Sequence, residues 1–552
     1  MTDHETSSSD TVPTALRFAF APKLGLLPIV TAFLRNPRGA CAITWARLAG
    51  KRLRARQKCV ALAGIDHRLW LPSSAKPASE PASALAAHDI AAVAAGALDC
   101  STSGHAAIVA LLAPGHTLVA GAADAIATIF SENAELQALY GDALVEGGDG
   151  RLLPILRPAF DADFFRGLDL AGPVVAVRAV CIAGIEHALV PGAEALDLLL
   201  RIDAGGGAVR HLPRLLSIAP LARSHGPNDE ARLEAVRADF DRRGEGNAQI
   251  AIDEGILTVT RPLPEPCPGV SLIVPTRDRL DLLRPCIASL VERTDWPAKD
   301  ILICDNGSRE PETLAYFREC EARGIARIVP CPGPFDFAGM NNRAAEAARG
   351  RLLAFVNNDV EAFEPGWLER MVREALRPEI GAVGAKLLDG EGRIQHGGVV
   401  LGTGGGLVTH GHRHFAGDAP GYLGALLATH RVSAVTAACL VVETKKFRAV
   451  GGFDAERFSV DFNDVDLCLR LNAAGYRTLL VPSAVLHHRE SASRVRSPEA
   501  EVRHRREVAN LQKRWGSLLV QDPHYHPGFD PDLSTHARLR RGWPDLEPAK
   551  PR

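Results

Sequence analysis

A five-residue apolar run, Leu352 to Val356, stops abruptly at Asn357, Asn358, Asp359, Val360 and Glu361, and this junction constrains the chain more than any other stretch. A run that is apolar at every position suits a strand buried on both faces of a mostly parallel sheet. In open α/β sheets, ligands bind just beyond the carboxyl ends of the strands. A short polar and acidic cluster there can hold a hard divalent cation together with substrate phosphates. Taken alone, the same residues would also serve as a solvated turn.

The junction has company upstream. Val270–Pro275 is an apolar run ending at Thr276–Arg279, and Ile301–Cys304 is another, ending in Asp305, Asn306, Gly307 and Ser308. Between them, Leu282, Leu283, Cys286, Ile287 and Leu290 fall on one face of a helix. Further helices are expected at about 311–323 and 339–350, with a short strand, ARIVP, in between. Strands alternating with helices predict an α/β fold with a doubly wound, mostly parallel sheet. Neither G-x-x-x-x-G-K-[ST] nor G-x-G-x-x-G follows the first strand, so P-loop and dinucleotide-binding readings lose their main support.

At 552 residues the chain exceeds what one hydrophobic core organises. The proline-rich PLPEPCP, 262–268, is the clearest boundary, and LPSSAKPASEPAS, 71–83, reads as an earlier linker. The expected division is 1–83 (disordered tail, basic helical segment and linker), 84–261, the 262–268 linker, 269–515, and a C-terminal tail at 516–552. With 63 basic and 65 acidic residues, no bulk field points to nucleic acid. Eleven cysteines without a C-x-x-C pair read as buried thiols of a reducing compartment. The polar, acidic N-terminus is not a signal-peptide n-region, so a cytoplasmic location is expected. GLLPIVTAFL, 25–34, is too short to span a bilayer. Flanked by Lys23, Arg35, Arg38 and Arg47, it is compatible with peripheral contact with the inner membrane, although packing on the protein is favoured.

Eight blocks in the second half now bear on function: VSLIVPTRDRLDLL, ILICDNGS, FDFAGMNNRAAEAARGRLLAFVNND, GRIQHGGVVLG, AVTAACLVV, VGGFD, FNDVDLCLRLNAAGYR and LHHRESASR. In this order they resemble family 2 glycosyltransferases of the GT-A fold, particularly bacterial enzymes that build O-antigen and related surface polysaccharides. The resemblance covers roughly 268–494. It implies a nucleotide-diphosphate sugar as donor and a glycan or lipid-linked glycan as acceptor, with inversion at the transferred sugar. It places Pro275, Thr276, Arg277, Asp305 and Asn306 at the nucleotide, with Asn342 preceding the donor-side strand. Asn357-Asn358-Asp359 stands where many relatives have D-x-D. Asp359 is the implied ligand of Mg²⁺ or Mn²⁺, and Asn357 replaces the first acid. Asp464 matches the catalytic base, while Asp466 reads as a helix cap or pin. Of His487 and His488, the second is the first choice for metal or phosphate contact.

Three histidines alternate in THGHRH, His410, His412 and His414, which would put them on one face of a strand or extended loop. No carboxylate or cysteine sits close by in sequence, so an acceptor-loop role is favoured over a metal site. His396 is a further acceptor- or donor-pocket candidate.

The first half carries a faint echo of the second. EALDLLLRIDAGGGAVRHLP, 194–213, parallels NDVDLCLRLNAAGYRTLLVP, 463–482, placing Ala195 opposite Asp464 and Asp197 opposite Asp466. LLAPG stands where the second half has NND, and no histidine pair follows. The expectation is a degenerate GT-A-like α/β domain without chemistry. Two other functions were weighed. A silent sugar-binding or scaffold subunit is disfavoured by the presence of both Asp359 and Asp464. A nucleotidyltransferase would need a glycine-rich phosphate loop, and TRDRLDLL has no glycine.

Overall fold

The computed structural model describes residues 36–50, 71, 73–94, 106–183, 188–221, 229–489, 497–531, 536 and 538–543, with isolated positions nearer the N-terminus. The anticipated disorder at 1–14, the 25–34 segment apart from single positions, and the ESASR end of the last sequence block lie outside them. Among the described residues, no helix is long and apolar enough to cross a membrane.

Two large sheets divide the chain. The first contains β1 (Ser79–Glu80), β2 (Ile90–Ala94), β3 (Ile108–Leu112), β4 (Thr117–Val119), β5 (Leu136–Glu146), β6 (Leu152–Ile155), β7 (Val174–Arg178) and β8 (Ala208–Pro220). Its order is β1-β4-β8-β5-β7-β3-β2, with β6 on β5. A hairpin, β9 (Gln249–Asp253) and β10 (Ile256–Thr260), precedes the proline-rich boundary. The second sheet begins with β11 (Val270–Thr276), β12 (Lys299–Asp305), β13 (Arg327–Pro330) and β14 (Leu352–Val356). It continues through β15 (Val360–Ala362), β16 (Ile380–Leu388) and β17 (Ile394–His396). After a small separate pair, β18 (Val399–Leu401) and β19 (Val408–His410), it is completed by β20 (His430–Arg431), β21 (Cys439–Glu443) and β22 (Arg477–His488).

The second sheet is parallel through β13-β12-β11-β14 and mixed beyond, in the order β21-β16-β22-β15. All of β11 and β14 is buried, as continuous apolar runs covered on both faces require. The helix Leu280–Glu292 buries the face that its periodicity assigned, Leu282, Leu283, Cys286, Ile287 and Leu290, and the helix Phe337–Ala347 buries Met340 and Ala344. The fold is therefore α/β, with all three polar junctions at the carboxyl ends of neighbouring parallel strands.

The two sheets correspond pair by pair. Parallel β2/β3 answers parallel β11/β14, and antiparallel β3/β7 and β7/β5 answer β14/β21 and β21/β16. The long parallel pair β5/β8 answers β16/β22, with β4 and β6 standing where β15 and β17 stand. Two register breaks match as well: β5 slips after Leu136 and after Gly141, β16 after Ile380 and after Ala385, and β5 slips once more after Asp142. Only residues 95–107 separate β2 from β3, enough for one parallel crossover and too few for counterparts of β12 and β13.

One assigned linker and the assigned C-terminal tail are partly built into the fold. Part of 71–83 is sheet: Leu71 bridges Leu152, and Ser79–Glu80 pairs with β4. Its proline and serine content suggested a free tether, but Glu80 is used to hold the Gly121 and Ala123 N–H groups at the start of the helix Ala122–Glu132. The C-terminal segment likewise packs inward, Tyr525 and Phe529 joining Tyr140, Phe165 and Leu199 in the core of the first half.

Candidate active site

The strand ends are stitched to one another before any ligand is considered. The Asn306 N–H donates to the Thr276 carbonyl (2.9 Å), and the Asn358 amide donates to Thr276 Oγ1 (2.9 Å). Asp305 Oδ1 accepts the Ser308 N–H at 2.8 Å, while Asp278 Oδ1 takes the N–H groups of Arg309 and Glu310. Asp278 and Arg279 both have left-handed backbone, φ 51° and 52°, a conformation that non-glycine residues adopt mainly where surrounding structure imposes it. Pro275 and Thr276 are buried at the strand end, and Arg277 is exposed.

Not every asparagine singled out in the sequence is left for a ligand. The Asn306 amide donates to the Cys331 and Gly333 carbonyls, bracing the turn after β13, and its buried Oδ1 has no partner. Asn342 spends both ends of its amide on Phe453, donating to its carbonyl and accepting its N–H. That makes Asn342 a splint for the VGGFD loop. Asn357 donates its N–H to the Ala438 carbonyl, and its buried Oδ1 has no partner.

Pairing of β15 with β22 sets Val360 opposite His488, and so brings Asp359 and His488 together. His488 Nε2 lies 3.2 Å from Asp359 Oδ1. His487 points elsewhere and packs its ring on Phe363, 4.5 Å between centroids. The Asp359–His488 separation is close to the ~3 Å between neighbouring ligands of an octahedral ion bound at about 2.0–2.1 Å.

Asp464 occupies the first turn of the helix Asn463–Ala473, just after Phe462 at φ 62°. Its Oδ2 accepts the Ala437 N–H (3.0 Å) and its Oδ1 the Val465 N–H (2.8 Å), with the Thr436 hydroxyl as a further donor. Burial raises its pKa, and these hydrogen bonds offset only part of that rise. Asp466, two residues on, is fully buried and accepts from Arg470 Nε (2.7 Å), Arg514 (2.9 Å) and Trp515 Nε1 (3.0 Å). It pins the helix that presents Asp464.

Glu507 was missed from the sequence. Fully buried, it accepts from the Ser459 hydroxyl at 2.7 Å and from the Ser459 and Asp461 N–H groups, clamping the loop that leads into Asp464. A signal existed: Glu507 lies one turn before Leu511, on the buried face of Pro498–Trp515.

The three alternating histidines do not share a face. His412 and His414 have positive φ, 54° and 72°, which breaks the extended geometry that alternation presumes. His410 meets His396 (Nδ1 to Nδ1, 2.7 Å), and His412 stacks on His536. His396 is fully buried, and burial first, then His488 and Arg413, lowers its pKa to about 3. Neutral at physiological pH, it accepts the Thr436 N–H through Nε2 at 3.4 Å, two bonds from Asp464.

Among the described residues, one group of metal-ligand type stands out, and it includes neither Asp359 nor Asp464: Asp142, His211 and His526. Asp142 accepts from His211 Nε2 (2.9 Å) and His526 Nε2 (2.8 Å). His526 Nδ1 accepts the Gly528 N–H, which leaves the ring proton on Nε2, where a metal would need a lone pair. The trio is a hydrogen-bonded latch between the first half and the C-terminal segment.

Residues 271–396 match the model of the family described as Glycosyl transferase family 2. The chain carries a family 2 glycosyltransferase domain. An uncharacterized protein, y4gI, of Sinorhizobium fredii is 36% identical over 412 residues, covering 70% of this chain and 44% of that one. The O-antigen biosynthesis protein RfbC of Myxococcus xanthus is 34% identical over 428 residues, 75% of this chain and 32% of that one. An N-acetylglucosaminyl-diphospho-decaprenol L-rhamnosyltransferase of Mycobacterium tuberculosis is 27% identical over 237 residues, 39% of this chain and 74% of that one. The chain spans less than half the length of the first two. Both of those matches are longer than 269–515, so the likeness extends beyond the glycosyltransferase domain into the flanking residues.

Proposed function

We propose that the glycosyltransferase domain moves a sugar from a nucleotide-diphosphate donor to a hydroxyl of a growing surface polysaccharide or lipid-linked glycan, with inversion. The observation that carries this reading is a pair of acidic stations beyond β14: Asp359 with His488, and Asp464 on the Ala437 N–H, next to the Ala438 carbonyl that takes the Asn357 N–H. Asp464 is assigned as the base that takes the acceptor proton as the new bond forms. Its raised pKa suits that task better than an ordinary carboxylate would. The O-antigen biosynthesis and rhamnosyltransferase relatives support a glycan acceptor.

The donor side fits a divalent cation. Asp359 Oδ1 and His488 Nε2 would hold it, with the donor diphosphate completing the shell. Bound there, Mg²⁺ or Mn²⁺ would act as a Lewis acid toward the leaving diphosphate. Asn357 adds no charge, so the pair alone should hold the ion poorly without nucleotide. Thr276, Asp305 and the Asn357–Asn358 turn form the rim that receives the nucleotide, and Arg277 is the exposed cation beside it.

The first half is assigned as a second GT-A-like sheet that positions and does not catalyse. Among the described residues it has no counterparts of β12 and β13, and so none of the strand that carries Asp305. Ala195 replaces the base, whereas the pin survives: Asp197 holds Arg201 and Arg242 as Asp466 holds Arg470 and Arg514. The test is turnover of a panel of nucleotide sugars by the full chain, with and without Mn²⁺. Release of nucleoside diphosphate that falls with EDTA is expected. Undiminished turnover in EDTA would remove the metal assignment, and no turnover with any donor would remove the activity.

A further inference from the structure

A cavity of about 70 Å³ lies between the two halves. One water needs roughly 10–15 Å³ by the same measure, so the space suits a small ring and not a lipid chain. Both halves build it. Asp161 and Phe164 come from the first, Tyr422 and Arg431 from the second, and His524 and Phe529 from the C-terminal segment.

Its chemistry is mixed in a particular way. Apolar side chains predominate, Phe164, Tyr422 and Phe529 among them, yet Arg431, Asp161 and His524 line the same space. The buried Nε–H of Arg431 meets no acceptor in the protein. Such a group is rarely left unpaired without a ligand or water to receive it. Asp161 takes the backbone N–H groups of Arg431 and Asp163, so its carboxylate is fixed beside the Arg431 main chain. Burial first, then Arg431 and His430, lowers the His524 pKa to about 3, leaving a neutral ring with one donor and one acceptor. Asp161 opposes the Arg431 charge and buried Asp522 lines the same cavity, so there is no surplus positive charge to attract a diphosphate.

Two chain segments lead from the cavity wall toward the proposed base. Gly397 and Gly398 line it directly after His396, and Ser433 lines it three residues before Thr436, which contacts Asp464.

We propose that this cavity is a carbohydrate subsite that takes one neutral pyranose ring of the acceptor glycan, with Tyr422, Phe164 and Phe529 around its C–H faces and Arg431, Asp161 and His524 on its hydroxyls. Its role as an acceptor subsite rests on the transferase reading above, whereas sugar binding itself does not. The first half thereby supplies one wall of the acceptor site, which gives a sheet without chemistry a place in the reaction.

Saturation-transfer NMR on the full chain, without nucleotide, tests it with three probes: methyl β-D-glucopyranoside, methyl α-L-rhamnopyranoside and methyl N-acetyl-β-D-glucosaminide. At least one should receive saturation. Arg431→Gln should weaken that binding roughly tenfold or more, the worth of a hydrogen bond to a charged group. Val400→Trp, which fills the cavity from the wall, should abolish it, and both variants should retain the wild-type circular dichroism spectrum. Failure of all three probes to bind, or binding that persists in both folded variants, would overturn the subsite. Sugar binding of this kind in a chain that turns over no nucleotide sugar would leave the subsite standing and remove the transferase reading instead.

Discussion

At the scale of single residues, Asp464 combines a buried carboxyl with a charged-form hydrogen-bond set, and burial prevails. A base works when deprotonated, and a raised pKa holds the proton to higher pH. The acid limb of the kcat/KM profile is therefore expected above the ordinary aspartate value of about 3.9, with activity rising through it. An acid limb at or below that value would contradict the assignment. The sequence showed much of this site because strand ends are legible: a continuous apolar run that stops at Asn-Asn-Asp or Asp-Asn-Gly marks its own carboxyl edge. Side-chain commitments were not legible. Asn342 looked like a ligand residue and is consumed by Phe453. The THGHRH histidines looked coplanar until two positive φ angles dispersed them.

At the scale of elements, the helix that carries Asp464 is held from behind by Asp466, to which Arg470, Arg514 and Trp515 all donate. Removing a fully buried carboxylate leaves Arg470 without its acid, while Arg514 keeps Asp454, and a broken buried pair costs ~3–5 kcal/mol. Both arginines are partly exposed, which places the expectation at the lower end. Thermal melting of Asp466→Ala should show a drop of several degrees, while an unchanged melting temperature would show that the pin is dispensable. The faint repeat in the sequence concerned this element. Asp197 with Arg201 and Asp466 with Arg470 share the same i, i+4 spacing, and the pattern was visible because helical ion pairs are local. The deletion of the β12–β13 equivalents was hidden, since an absent strand leaves no residues to read.

At the scale of the whole molecule, the two halves are joined by buried polar contacts. Arg377 reaches Asp163 at 2.9 Å, Tyr422 accepts the Leu156 N–H, and the Asp142–His526 latch ties the C-terminal segment to the first sheet. For Asp142, burial works to raise the pKa, but His526 and His211 outweigh it and hold the carboxyl well below the usual range. Its contribution is thus present above the unfolded value of about 3.9 and is lost as pH falls below it. The melting temperature of Asp142→Ala should lie below wild type at pH 7, with the gap narrowing below about pH 4. A gap that does not change with pH would show that the carboxylate charge is irrelevant to the latch.

The central claim is that this assembly serves one chemical step at Asp464. Asp464→Asn keeps the shape of the side chain and removes the base. The most direct measurement is donor binding and sugar transfer for that variant in the full chain, with the nucleotide sugar that the panel identifies. Transfer is expected to fall ~10²–10⁴-fold while donor affinity stays within about twofold of wild type. Retention of more than about a tenth of wild-type turnover would contradict the account.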